Sequence, residues 1–91
     1  MTITEYADAI NRELEIRYYP NQNHRFSADF DGAEIKAEGL LASSFGDGQT
    51  PDEALQEYAK KISGKTIVFG AMTDNRREFR VPNLITWRDG R

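Results

Sequence analysis

Hydrophobic positions along the chain follow two spacings. The helical spacing occurs twice. Ile3, Tyr6, Ala7, Ile10 and Leu14 form one apolar face at intervals of three and four, which predicts a helix over 4–14. Thr2-Ile-Thr-Glu5 in front of it has the form of a capping box. The second helix is the most completely marked element and organises the rest. Thr50 suits the N-cap, Pro51 the first helical position, and Glu53 stands three residues after Thr50. Leu55, Tyr58, Ala59 and Ile62 form its buried stripe, Lys60 and Lys61 favour the negative end of its dipole, and Gly64 closes it.

Alternation marks the strands. Glu15-Ile-Arg-Tyr-Tyr19 is rich in β-formers, and the polar break over 20–23 suits a hairpin loop. Over 25–30, Phe26, Ala28 and Phe30 share a face; over 33–38, Ala33, Ile35 and Ala37 do. Asp31-Gly32 between them is a two-residue turn signal. The expectation is a three-stranded antiparallel meander, apolar on one face and charged on the other, with the helices covering the apolar face. Leu40 and Leu41 extend the third strand past a bulge at Gly39, and 43–48 is a Gly-rich connection into the second helix. Lys65-Thr-Ile-Val-Phe69, a turn over 70–75 and an alternating run over 76–81 read as a final hairpin ended by Pro82. Leu84, Ile85 and Trp87 in the tail would be an awkward apolar set in water, so they are expected to dock on the core or on a second subunit. The fold class expected is α+β: an antiparallel sheet of three to four strands, two helices packed on one face, and a C-terminal β-hairpin, in a single domain over 1–91.

Composition narrows the setting. Hydrophobic residues make up 38% of the chain, enough for one core, and ten aromatics enlarge it. The absence of cysteine excludes a disulfide framework and thiolate chemistry. No apolar run is long enough for a membrane span, and the first residues lack the basic and apolar regions of a signal peptide. A cytoplasmic protein without membrane contact is expected. The net charge of −3 is unevenly spread: residues 1–59 balance to −8 and residues 60–91 to +5. That asymmetry suits either a local anion site or charge complementarity within the fold or across a dimer.

Catalytic chemistry finds little support. His24 is the only histidine, so no His-rich metal site can form, and no Ser-His-Asp order stands out. Asp29 and Asp31 straddle Phe30 as turn and surface residues, and the spacing of Asp47, Asp52 and Glu53 is not that of a calcium loop. No enzyme, cofactor or metal is expected. The richer set is Phe69-Gly-Ala-Met-Thr-Asp-Asn-Arg-Arg-Glu-Phe-Arg80, which joins an aromatic ring, small residues, amide and hydroxyl groups and three arginines. Guanidinium forks grip phosphate oxygens, and an aromatic ring stacks on a base. The plainer reading puts Phe69 and Phe79 in the core and Arg76, Arg77 and Arg80 in ion pairs with the acidic half.

Two resemblances arise at these residues. The stretch 26–62, with Gly46-Asp-Gly-Gln-Thr-Pro-Asp-Glu-Ala-Leu55 opening the helix, resembles the HicB-like antitoxin domain, from which the chain departs in its N-terminal helix and Arg-rich hairpin. The order of helix, three strands, helix and hairpin, with Asn75-Arg-Arg-Glu-Phe-Arg-Val-Pro82 after a Gly-Lys-Thr strand, resembles the first-described type of phage-encoded Thoeris anti-defence sponges. That resemblance implies a non-catalytic, homo-oligomeric protein that sequesters a cyclic ADP-ribose-type signal or a cyclic oligonucleotide between subunits. It implies Phe69 and Ala71 near the ligand ring, Asn75, Arg76 and Arg77 near phosphates, and Arg25 contributed by a neighbouring subunit. The alternative is an antitoxin or inhibitor that masks a host protein with its acidic face. RNA binding by the sheet is disfavoured by the acidic residues on it.

Overall fold

A computed structural model describes residues 1–86. The fold is α+β, with two helices and two antiparallel sheets. In chain order the elements are α1 (Ile3–Ile10), β1 (Leu14–Tyr19), β2 (Arg25–Phe30), β3 (Ala33–Ala37), β4 (Leu40–Ser43), β5 (Gly46–Gly48), α2 (Pro51–Ile62), β6 (Thr66–Phe69) and β7 (Arg77–Arg80). The sheets run β1-β2-β5 and β4-β3-β6-β7.

The capping box predicted for α1 forms: the Thr2 N–H donates to Glu5 Oε1 at 2.8 Å and the Glu5 N–H donates to Thr2 Oγ1 at 3.2 Å. The helix ends earlier than its apolar spacing implied. Asn11 turns left-handed at φ 57° and ψ 47°. Its N–H bonds the Asp8 carbonyl while that of Arg12 bonds Ala7, the pair of contacts of a Schellman ending. Ile10 and Leu14 both pack on the core, but from a helix and a strand.

The ends of α2 fall where its signals put them. The Glu53 N–H donates to Thr50 Oγ1 at 3.0 Å, and Glu53 Oε1 accepts from the Gln49 N–H at 2.8 Å, one residue before the usual capping-box partner. Thr50→Ala strips one of these bonds from an exposed helix start and is expected to cost about 1 kcal/mol. A urea titration followed by circular dichroism checks this, and Thr50→Ser should recover most of the loss.

The strand pairing corrects the expected meander. β1 and β2 form the first hairpin, with Leu14 opposite Phe30 and Tyr19 opposite Arg25. β2 and β3 do not pair with each other, because the Asp31-Gly32 turn carries the chain from one sheet to the other. The second neighbour of β2 is β5, with Ala28 opposite Gly46 and Phe26 opposite Gly48, where the sequence suggested only a connection. Leu40 and Leu41 do not extend β3. Glu38 and Gly39, at φ 53° and 83°, close a two-residue hairpin whose return strand is β4. β6 pairs with β3 and β7, so the final hairpin is built into the four-stranded sheet.

One core joins these layers. Ile3, Tyr6 and Ala7 of α1, Tyr58, Ala59 and Ile62 of α2, Phe30 of β2, and Ile67 and Phe69 of β6 all belong to it. α2 lies over β2 and β5 and touches α1. Leu84 also joins this core, as expected of the tail, and its N–H donates to Ser63 Oγ at 3.0 Å. Ile85 stays 57% exposed, and Trp87 lies outside the described residues. Among the described residues, no helix is long and apolar enough to cross a membrane.

Candidate functional site

The hairpin residues expected at a ligand fall into different environments. Phe69 is a core residue, 4% exposed. Its ring meets Phe30 and Phe79 edge to face at centroid distances of 5.8 and 5.7 Å, and the Arg12 guanidinium sits 4.3 Å from its centroid. A ligand ring could stack on it only after displacing these neighbours. Ala71 is half-buried and Asn75 exposed, in a turn tied by Thr73, whose Oγ1 donates to the Gly70 carbonyl and accepts from the Asn75 N–H.

Arg76 is exposed and engaged. Its Nη2 and Nε donate to Glu78 Oε2 at 2.7 and 3.1 Å, while Lys36 reaches the other oxygen at 3.3 Å. Hydrogen bonds from Arg76 and then Lys36 hold the Glu78 carboxyl below its ordinary range. Arg77, opposite Phe69 in the register, is exposed and has no ion pair among the described residues. Arg25 stands apart from the other five, on β2 of the three-stranded sheet.

Around Arg25 the structure gathers a different set. Strand alternation and register line up Arg17, Ser27 and Asp47 across β1, β2 and β5, with Tyr19 opposite Arg25 and Glu15 opposite Asp29. This row borders a cavity of about 270 Å³, to which Gln22 and Phe45 also contribute. Ser27 is buried there at 3% exposure. Arg17 donates to Asp29 at 3.1 Å and also to Glu15, and these carboxylates, Asp29 foremost, raise its pKa. Arg25 Nη2 donates to Asp47 at 3.1 Å. Its Nε is buried and finds no hydrogen-bond partner among the described residues. Lys61 fixes the rim, donating to the Phe45 carbonyl at 2.8 Å with its Nζ 5.5 Å from the Phe45 ring centroid.

A second hollow of about 300 Å³, bordered by Gly48, Gln49 and Glu53, shares the Arg25–Asp47 pair. The first volume falls just below the range for ligand pockets, about 300–1,000 Å³, and the second at its lower limit. Together they offer guanidinium donors, carboxylate acceptors, a hydroxyl and two aromatic rings. An incoming anion must displace Asp29 or Asp47, and the same carboxylates can accept hydrogen bonds from sugar hydroxyls or base amines.

Of this set, the resemblance named Arg25, while Asp29 and Asp47 were weighed as acid/base and cation candidates and set aside. Arg17, Tyr19, Ser27 and Asp29 carried a usable signal, as polar positions interleaved with Ile16, Tyr18, Phe26 and Ala28. Asp47 and Phe45 did not, because β5 was not recognised as a strand. No family model, curated protein or solved structure matches the chain.

Proposed function

We propose that the protein is a non-catalytic binder that captures an anionic nucleotide-type ligand, of the cyclic ADP-ribose or cyclic oligonucleotide class, and serves phage evasion of host immunity by sequestering that signal in the host cytoplasm. The observation that supports this best is Arg25, a guanidinium at two adjoining hollows whose buried Nε has no partner among the described residues. A buried donor of this kind gains from an acceptor supplied by a ligand. Tyr19 and Phe45 border the same cavity and suit stacking on a base. Arg77, exposed on the far sheet, belongs to the reading only where a second subunit brings it to the ligand.

The test is a thermal-shift screen against cyclic ADP-ribose isomers, cyclic dinucleotides and cyclic trinucleotides, with calorimetry on any hit. A ligand at about 100 times its Kd stabilises the native state by about 2.7 kcal/mol. The expected result is a shift lost in Arg25→Ala, with that variant otherwise folded. A shift that survives Arg25→Ala but not Arg77→Ala returns the site to the hairpin.

The second reading is masking of a host protein. It draws on the β3–β4 hairpin tip, where Glu38 is exposed and Leu40 is 73% exposed. It becomes the better account when no nucleotide shifts the protein, and substitutions of Glu34 and Glu38 then test it; Asp29, expected on the same acidic face, lies on β2 in the other sheet.

A further inference from the structure

We propose that β1 pairs in antiparallel register with β1 of a second copy of this chain, about a two-fold axis through Ile16. β1 is the outer strand of its sheet and runs for six residues. The other sheet edges are shorter: β5 has three residues and lies under α2, while β4 and β7 have four each. Long edge strands are templates for a further strand unless proline, charged side chains that go uncompensated (lysine above all) or a bulge blunts them. β1 contains neither proline nor lysine, and its pairing with β2 runs without a bulge from Leu14 to Tyr19.

One face of β1 is also left apolar and uncovered among the described residues. Ile16 and Tyr18 are 43% and 50% exposed on the side where α2 covers β2 and β5. Tyr18 packs beside Phe26 at a centroid distance of 4.8 Å, which extends the strip inward.

Symmetry and charge select the register. A two-fold axis joining two antiparallel edges stands perpendicular to the sheet, so it passes through a residue position, and paired residues keep the same face. Centred on Arg17, the pairing sets two guanidinium groups opposite each other; centred on Glu15, two carboxylates. Directly opposed like charges destabilise a sheet. Centred on Ile16, it sets Glu15 opposite Arg17 twice, Leu14 opposite Tyr18 twice, and Ile16 opposite itself. Every charge then has its complement and the apolar strip closes on its own copy. The resulting sheet has six strands, β5-β2-β1 and its repeat, with both Arg25 cavities on the same face. Dimerisation needs no ligand, so its test reads independently of the nucleotide screen.

The chain contains no cysteine, so single introduced thiols report the register directly. Opposed Cα atoms in an antiparallel pair are about 4.5–5.5 Å apart, within the reach of a disulfide. Ile16→Cys should convert to a covalent dimer under mild oxidation, while Tyr19→Cys, far from its own copy in this register, should not. Sedimentation velocity at micromolar concentration should give the mass of two chains for the wild type and of one chain for Ile16→Arg and Glu15→Arg. The double swap Glu15→Arg with Arg17→Glu should restore the dimer, since the new guanidinium faces Asp29 on β2 as well as the new carboxylate across the axis. A wild-type protein that sediments as one chain and gives no Ile16→Cys cross-link overturns the proposal. So does a dimer that persists in Ile16→Arg. Circular dichroism establishes that each variant is folded, and where one is not, the cross-link decides.

Discussion

Gly46→Ala is expected to destabilise the native fold severely. A Cβ at this position would lie 2.2 Å from the Ala54 carbonyl oxygen, 2.3 Å from the Tyr58 nitrogen and 2.8 Å from the Tyr58 Cα. All three are backbone atoms of α2, so no side-chain rotation relieves the contact. The helix would have to lift by more than an ångström, taking Ala54, Tyr58 and Ile62 out of positions where each is at most 1% exposed. Overpacking of this kind costs about 1–3 kcal/mol even where side chains can adjust, and rigid backbone allows less relief. We expect a loss above about 3 kcal/mol, a large share of the 5–15 kcal/mol that holds a typical domain. The variant should express poorly or show a weak, non-cooperative unfolding transition by circular dichroism. Gly32→Ala is the matched control. Its Cβ would meet nothing within 4 Å, but the residue sits at φ +76°, so only backbone strain of about 1–2 kcal/mol applies. If Gly46→Ala unfolds with the wild-type midpoint, α2 does not lie against β5 as described.

The same glycine shows why part of the fold was legible and part was not. α2 announced itself because Thr50, Pro51 and Glu53 act through their immediate neighbours, and local rules suffice for local contacts. Gly46 and Gly48 act through a helix that begins five and three residues further on, and a glycine selected for close approach reads in sequence like a glycine selected for a loop. The strand β5 was missed for that reason. The Asp31-Gly32 turn was read correctly as a turn. Its consequence was not, because which strand lies beside β2 is set by what covers Ala28 and Phe30, and no dipeptide states that.

The candidate site followed the same divide. Phe69 and the arginines of the hairpin look like a ligand set on composition alone, but burial depends on the opposite layer, and Phe30, Phe79 and Arg12 enclose the ring. Arg25 was named through the resemblance alone, as a ligand contact from a neighbouring subunit. Its partners Asp47 and Tyr19, and the Arg17–Asp29 pair beside them, come from three strands brought together by register.

Phe30→Ala is expected to carry the largest cost of any single truncation in the core. Phe30 is fully buried where the two sheets and both helices meet. Its ring lies 6.4 Å from Tyr6 of α1, 6.0 Å from Tyr58 of α2 and 5.8 Å from Phe69 of β6, each in an edge-to-face arrangement. Removing it takes away the apolar transfer energy and three aromatic contacts, and leaves a cavity that neighbours from three other elements cannot all collapse into. The loss should be about 3–5 kcal/mol. The Phe30 backbone adds a second tie, because its N–H donates to the Tyr58 hydroxyl at 3.2 Å. Burial pushes the Tyr58 pKa up to about 12, so the phenol stays neutral across physiological pH. Tyr58→Phe removes that acceptor with little change of volume and should cost about 1–3 kcal/mol, the penalty of a buried donor left unpaired. Urea titrations of the two single variants and the double variant separate packing from the hydrogen bond. The double variant should fall short of additivity, since each change loosens the same junction. Phe45→Ala is the reference, because Phe45 is 45% exposed at the cavity rim and should cost well under half as much. Equal losses at Phe30 and Phe45 would mean that the two sheets do not meet at Phe30, and a Phe30→Ala midpoint near the wild type would remove the junction on which both sheets and both helices are assembled.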